Sequence, residues 1–407
     1  MKPSDNSSSL STRFPAGTGL RFAAAYAALF LPFAVATPYL QVLLRTRGYD
    51  KDQIGLILGT LEIMAVLAPP LWGYLADRTC RPRTVLFVAA IGTIPMFLLF
   101  GVVRGGFAAV AVAVAFGLFF KPLIPLTDGL TFRYIRTHGG DYGKIRVGGS
   151  VAFIVCVITL EILGISEVGK GTMILVAMTV ASLLHLCSVA GLPPEREFTR
   201  GKGTPHSEQS MDLRVFLKRP FLLFTLAAFL GRLAMMSYYG FFSLYLKEEI
   251  GFAQAGYLWI LGPLSEFPVI YYSRRIMERI GVRNLFALGL LGITVRLAGF
   301  GVSSCVWHII PLQFLHSLTF GAYHTASVTY VSRIVPHRLH SIAQTVFAAI
   351  TIGLGGIIGG ALGGHLAEQY GYHTMYLSFS AVALAALVLL MMTVPHLSEE
   401  NAAPPSD

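Results

Sequence analysis

Long apolar runs separated by short polar connections organise the chain. They lie near 20–44, 54–76, 84–103, 107–130, 146–164, 170–192, 221–246, 254–276, 284–303, 307–332, 341–364 and 371–394. Each is close to the roughly 20 residues that a helix needs to cross bilayer hydrocarbon. The runs are continuous, whereas a membrane β-barrel needs strands of alternating polarity. The pattern therefore predicts twelve spanning helices. The first 19 residues are polar and Ser-rich. The run after them is longer than the 7–15-residue core of a signal peptide, so it is expected to be retained.

Composition agrees and narrows the class. The chain is 54% hydrophobic and 13% charged, with a mean hydropathy of +0.65. A soluble domain carries about 25% charged residues. These values exclude an ordinary soluble enzyme, a secreted disulfide-rich domain and a disordered chain.

Basic residues set the sidedness, because cytoplasmic connections are enriched in Lys and Arg. One set of connections carries Arg45, Arg47, Lys51, Arg104, Lys170 and Lys247. Lys121, Arg232 and Arg296 fall inside spans, and the other 22 of the 31 basic residues lie on the opposite side. Both termini are expected in the cytoplasm of a cell with a bacterial-type inner membrane. The net charge of +10 then faces anionic lipid, and nucleic-acid binding is not expected. Cys156 and Cys187 lie in spans, Cys305 at the edge of span ten and Cys80 in a loop, with no metal-binding spacing and no expected disulfide.

The longest connection, 193–219, contains Pro, Gly and basic residues and reads as a linker. It divides the chain into a tail 1–19, a six-helix bundle 20–192, a second bundle 220–394 and a tail 395–407. A shift of about 201 residues brings Gln53 and Gly55 onto Gln254 and Gly256, and Asp77-Arg78 onto Glu278-Arg279. Internal symmetry of this kind predicts a transporter whose site lies between two bundles near the midplane.

After span two the sequence reads Gly73-x-x-x-Asp77-Arg78-x-x-Arg81-x-Arg83, and Glu278-Arg279 follows span eight in the same way. Gly73 suits close helix approach. Asp77 suits a helix N-terminus. The arginines suit a lock between the bundles, although a loop that only enforces topology would carry them too. This spacing resembles the signature loop of the major facilitator superfamily. The resemblance covers nearly the whole chain. It implies an all-α integral membrane protein with twelve transmembrane helices in two pseudo-symmetric six-helix bundles (the major facilitator fold), and alternating access by rocking of the bundles.

Charges inside the membrane are costly and are functional candidates by default. Here they are Glu62, Lys121, Asp128, Arg232, Glu266 and Arg296, with Arg146 at the start of span five. Ion pairs that merely lock helices are the alternative for any one of them. Glu266, Arg296 and His316 lie on three successive spans and suit a proton relay. A carboxyl kept from water can carry a proton, and an approaching guanidinium favours its release. His316, Thr319, Phe320, Tyr323 and His324 share a helical face, as a cavity wall would.

A closer resemblance rests on Lys121-Pro122-x-x-Pro125-x-Thr127-Asp128, Asp141-Tyr142-Gly143-Lys144-Ile145-Arg146, Tyr238-Tyr239-Gly240-Phe241 and Gly256-Tyr257-Leu258-Trp259. It is to the proton-symporter branch that holds the phenylpropionate permeases and, more distantly, lactose permease. The resemblance implies that Asp128 and Arg146 bind substrate and that Glu266, Arg296 and His316 couple protons. Thr319 stands where lactose permease has a proton-carrying Glu, which leaves more of the coupling to Glu266.

Aromatic walls with cations suit an aromatic carboxylate held by Arg146, Lys121 or Arg232, with Tyr239, Tyr323 and His324 beside it. Tyr26, Phe30 and Phe33 share a face of span one. Asp128 or Glu62 could instead accept hydroxyl hydrogen bonds, so sugars and nucleosides stay open, as does efflux by antiport. A membrane receptor that binds without flux is the reading from a different class. The glycine pairs at 355/356, 359/360 and 363/364 predict close helix packing. No phosphate loop, zinc-protease motif or nucleophile elbow occurs. The Gly-Pro-x-x-Gly-Gly pattern of drug antiporters is missing from span five. No enzyme activity, cofactor or metal is expected. The proton gradient is expected to supply the energy, and the expected partners are protons, lipid and a small solute. The expected unit is a monomer.

Overall fold

The computed structural model describes residues 18–167, 170–193 and 213–395. Most of the expected tails and of the expected linker lie outside the described residues. Six spans precede that linker: Thr18–Thr46, Lys51–Thr79, Pro82–Leu99, Gly106–Phe120 continued by Leu123–His138, Tyr142–Ile162 and Gly171–Ala190. Span seven is Arg219–Glu248, preceded by a 3-10 turn at Leu213–Leu217. Span eight comprises Gly256–Trp259 and Leu261–Ile280, and span nine is Val282–Val302. Span ten runs Val306–Phe314, a π segment Ser317–Ala322 and Tyr323–Ile334. Span eleven begins at His340–Ala348, passes a π segment Ala349–Leu354, and continues in the helix Gly355–Thr393. Gly371, at φ 80° and ψ 169°, breaks that helix, and span twelve follows it.

The twelve expected spans are all present, although only nine helices among the described residues are individually long and apolar enough to cross a bilayer. The difference has a local cause. The glycine break joins two spans into one helical stretch, while spans eight and ten are divided by irregular turns.

Helix starts follow from sequence. Asp50 caps span two by accepting from the Gln53 N–H, and the Gln53 side chain returns a bond to the cap. Asp141 caps span five through the N–H groups of Gly143 and Lys144. Pro82 opens span three, where its missing N–H costs nothing.

Span one packs against spans five and six, and span two against span four. The halves meet mainly where span two lies on span eleven and span one on span seven. Here the glycines form two stripes. Gly356, Gly360 and Gly364 face Glu62, Gly55 and Lys51 of span two, whereas Gly355, Gly359 and Gly363 face Phe229, Leu233 and Phe241 of span seven. A Cβ at Gly55 or Gly360 would run into the other helix's backbone. Gly73 does not serve this purpose, because nothing lies within 4 Å of where its Cβ would stand.

The connections after spans two, four, six, eight and ten share one end, termed the linker end; the others share the far end. Ties between the halves are dense at the far end. Gln41 Oε1 accepts from the Ser243 and Leu244 N–H groups at 3.1 and 3.3 Å. Arg45 pairs with Glu248 at 2.8 Å, and the Lys51 N–H bonds Glu368 at 3.0 Å.

Candidate functional site

A central cavity of about 390 Å³ lies between the halves. Spans one, two and four line it with Phe33, Glu62, Phe116, Phe120 and Lys121; spans seven and ten add Arg232, Met236, Tyr239 and Phe320. Glu62, Lys121 and Arg232 sit near the middle of their spans, and the structure joins them. Lys121 Nζ donates to Glu62 Oε1 at 3.0 Å, and Arg232 Nη2 donates to Glu62 Oε2 at 2.5 Å. The Arg232 guanidinium also lies 5.0 Å from the centre of the Tyr239 ring. Opposite, Phe33 stacks on Phe120 with centroids 4.2 Å apart. Two cations and one carboxylate leave this cavity with a net positive charge among apolar walls.

The second cluster lies wholly in the C-terminal half. Glu266 Oε1 is 2.9 Å from His316 Nε2, and His316 Nδ1 is 2.9 Å from Arg296 Nη1. These three residues therefore form one continuous chain, as their spacing suggested. Arg296 is fully buried. It also donates to Thr319 at 3.0 Å and to Gln313, and it lies 3.9 Å from the centre of the Tyr238 ring. A buried guanidinium is tolerable only with such partners. Thr319, in the place of the missing acid, thus serves as a hydrogen-bond acceptor for Arg296.

Asp128 and Arg146 do not pair with each other in this conformation; each has other neighbours. Asp128 accepts from the Tyr26 hydroxyl at 2.5 Å and the Tyr142 hydroxyl at 2.9 Å. Arg146 lies over the Phe30 and Tyr26 rings at 5.2 and 5.9 Å, and its Nη1 is buried without a partner. Tyr323 turns toward packing: its hydroxyl donates to the Ala228 carbonyl, and its ring meets Phe286. His324 stacks on Phe320, which stacks on His316.

Among the described residues, the contacts of Asp77, Arg78 and Arg83 in the signature loop stay within one half. Asp77 pairs with Arg133 at 2.5 Å rather than with a helix N-terminus. Arg78 reaches Tyr74 in its own helix. Arg83 donates to the Val189 and Ala190 carbonyls at the end of span six, while Arg81, Glu278 and Arg279 are exposed. The reason is geometric: the Arg83 side chain leaves the start of one helix beside the unsatisfied carbonyls of a neighbour in the same half. Arg283 repeats the contact in the other half, donating to the Leu390 and Met391 carbonyls.

Sequence reasoning did not single out Gln313, Tyr142 or Glu161. Gln313 sits one turn before His316, and Tyr142 lies within the Asp141–Arg146 stretch, so both had a positional signal. Glu161 is an acid inside the span-five run. It is buried and accepts from Tyr39, Ser166 and the Gly256 N–H at 2.8, 2.9 and 2.7 Å.

Comparison with known proteins agrees with this architecture. The chain is 28% identical over 378 residues to a maltose permease of Geobacillus stearothermophilus, covering 90% of this chain and 92% of the relative. It is equally 28% identical over 378 residues to a probable 3-phenylpropionic acid transporter of Escherichia coli, covering 91% and 96%. The crystal structure of the nucleoside transporter NupG superposes with a TM-score of 0.78 at 19% identity, over 92% of this chain and 98% of that one. The fold is that of the major facilitator superfamily. The model of the MFS_1-like family matches residues 20–378, and the chain belongs to that family of multi-pass membrane transporters.

Proposed function

We propose that this transporter takes up a small organic anion with an aromatic body, of the 3-phenylpropionate kind, together with protons. The observation that carries the reading is the central cavity. Its charged lining is Glu62, Lys121 and Arg232, and its walls include Phe33, Phe120, Tyr239 and Phe320. A carboxylate would meet the cations, and its ring would meet the aromatic walls. The similarity to a probable 3-phenylpropionic acid transporter supports the same substrate class. The similarity to a maltose permease keeps sugars as the second reading, with Glu62 and Asp128 as hydroxyl acceptors.

Proton coupling is assigned to Glu266, with His316 and Arg296 linked to it. Asp128, with Arg146 over the neighbouring Tyr26, forms an accessory polar site toward the linker end. The basic connections support cytoplasmic termini in a bacterial-type inner membrane, and a monomer is the working unit of this proposal. In that orientation the tied far end faces outward.

The test is uptake of radiolabelled 3-phenylpropionate into proteoliposomes under an inward proton gradient, with protein-free liposomes subtracted. The expected result is a saturable excess that collapses with the gradient. No excess for the aromatic acid, together with saturable maltose uptake, would replace this reading with the second.

A further inference from the structure

In the central cavity Glu62 occupies the place of a ligand. One of its oxygens goes to Lys121 and the other to Arg232. It therefore spans two cations rather than gripping either one with both oxygens. Arg232 shows the consequence. The edge of a guanidinium formed by Nε and Nη2 accepts both oxygens of a carboxylate in parallel bonds. Here Nη2 bonds Glu62, while Nε is buried and has no partner. An unmade bond at a buried charged donor is expensive. The Arg232 fork is thus half filled, beside the Tyr239 ring and on the cavity wall.

The position of Glu62 is also constrained from behind. Gly356 of span eleven lies so close that a Cβ there would collide with the Glu62 Cβ. Glu62 belongs to one half and Arg232 to the other, so their pair crosses the seam that alternating access must shear.

Resting on the organic-anion reading above, we propose that Arg232 is the carboxylate subsite and that Glu62 is an internal counter-ion holding it in the empty protein. An incoming monocarboxylate takes both Nε and Nη2 of Arg232. Glu62 stays with Lys121. No bond is made or broken beyond these ion pairs and hydrogen bonds, and the charge of the cavity falls from positive to neutral. Binding thereby removes one tie between the halves, which links occupancy to their movement.

The test is a thermal-shift titration of purified full-length protein, wild type against Glu62→Gln and Arg232→Lys. The ligands are 3-phenylpropionate, benzoate and lactate, each paired with its neutral alcohol or amide. Size-exclusion profiles confirm that each variant is folded. Glu62→Gln keeps the shape but removes the competing charge, and should bind carboxylates about tenfold or more tightly. Arg232→Lys keeps the charge but loses the fork, and should bind them about tenfold or more weakly, with neutral ligands unmoved. Equal or weaker carboxylate binding by Glu62→Gln would overturn the counter-ion role. If 3-phenylpropionate is inert while another carboxylate shows both changes, the aromatic reading falls and the counter-ion role stands. Neutral ligands matching acids in all three proteins would overturn both.

Discussion

The Glu161 carboxylate accepts a hydrogen bond at 2.7 Å from the Gly256 backbone N–H, joining the end of span five to the first turn of span eight. The same oxygen accepts from Tyr39 and Ser166, and Lys247 reaches the Ser166 carbonyl at 3.1 Å. This knot lies on the seam between the halves at the far end. Its acceptor is buried, so losing it leaves several donors unsatisfied, each at about 1–3 kcal/mol. Glu161→Ala should therefore weaken far-end closure. Maleimide labelling of a cysteine placed at Met236, applied from the far side of oriented proteoliposomes, should rise several-fold. Unchanged labelling would show that Glu161 is not a latch.

Glu266 bonds His316, which bonds Arg296. Glu266→Gln preserves that geometry but cannot release a proton. Uphill uptake should be lost, while exchange of substrate across the membrane persists. Uphill uptake at the wild-type rate in this variant would remove Glu266 as the proton carrier.

Gly360 and Gly73 should differ sharply when changed to alanine. At Gly360 the new methyl meets the backbone of Gly55 and Gly59 in span two. Overpacking of this kind costs about 1–3 kcal/mol and would jam the two helices. At Gly73 the space is open, so the change should stay within about 0.5 kcal/mol. Transport rates and thermal midpoints in nanodiscs would separate the two. Equal effects would contradict the packing described here.

Arg83 and Arg283 make equivalent contacts in the two halves, each onto the last carbonyls of a neighbouring helix. Each alanine variant should lose about 1.5–3 kcal/mol, the range for hydrogen bonds to a charged group. The two sites lie in different halves, so the double variant should show the sum. Strong coupling between the two losses would point to a contact across the halves instead.

Much of this molecule is legible in the order of its residues. The twelve apolar runs had to become helices, because bilayer hydrocarbon offers no other partner for backbone N–H and C=O groups. Asp50, Asp141 and Pro82 mark helix starts by local chemistry. The intramembrane charges stood out because each is too costly to leave unpartnered. Spacing on adjacent spans likewise brought Glu266, Arg296 and His316 into one group.

What the tertiary structure decided was which charge meets which. Glu62, Lys121 and Arg232 lie on three spans that are distant in sequence: Lys121 reaches Glu62 because spans two and four pack within one half, and Arg232 reaches it only through how the halves are set together. The same holds for Glu161, which gains the Gly256 N–H from the opposite half. Arg83 looked like a lock between halves, but the nearest unsatisfied carbonyls belong to span six. A sequence prices each buried charge by itself; helix packing brings the distant partner within the roughly 3 Å at which a hydrogen bond offsets that cost.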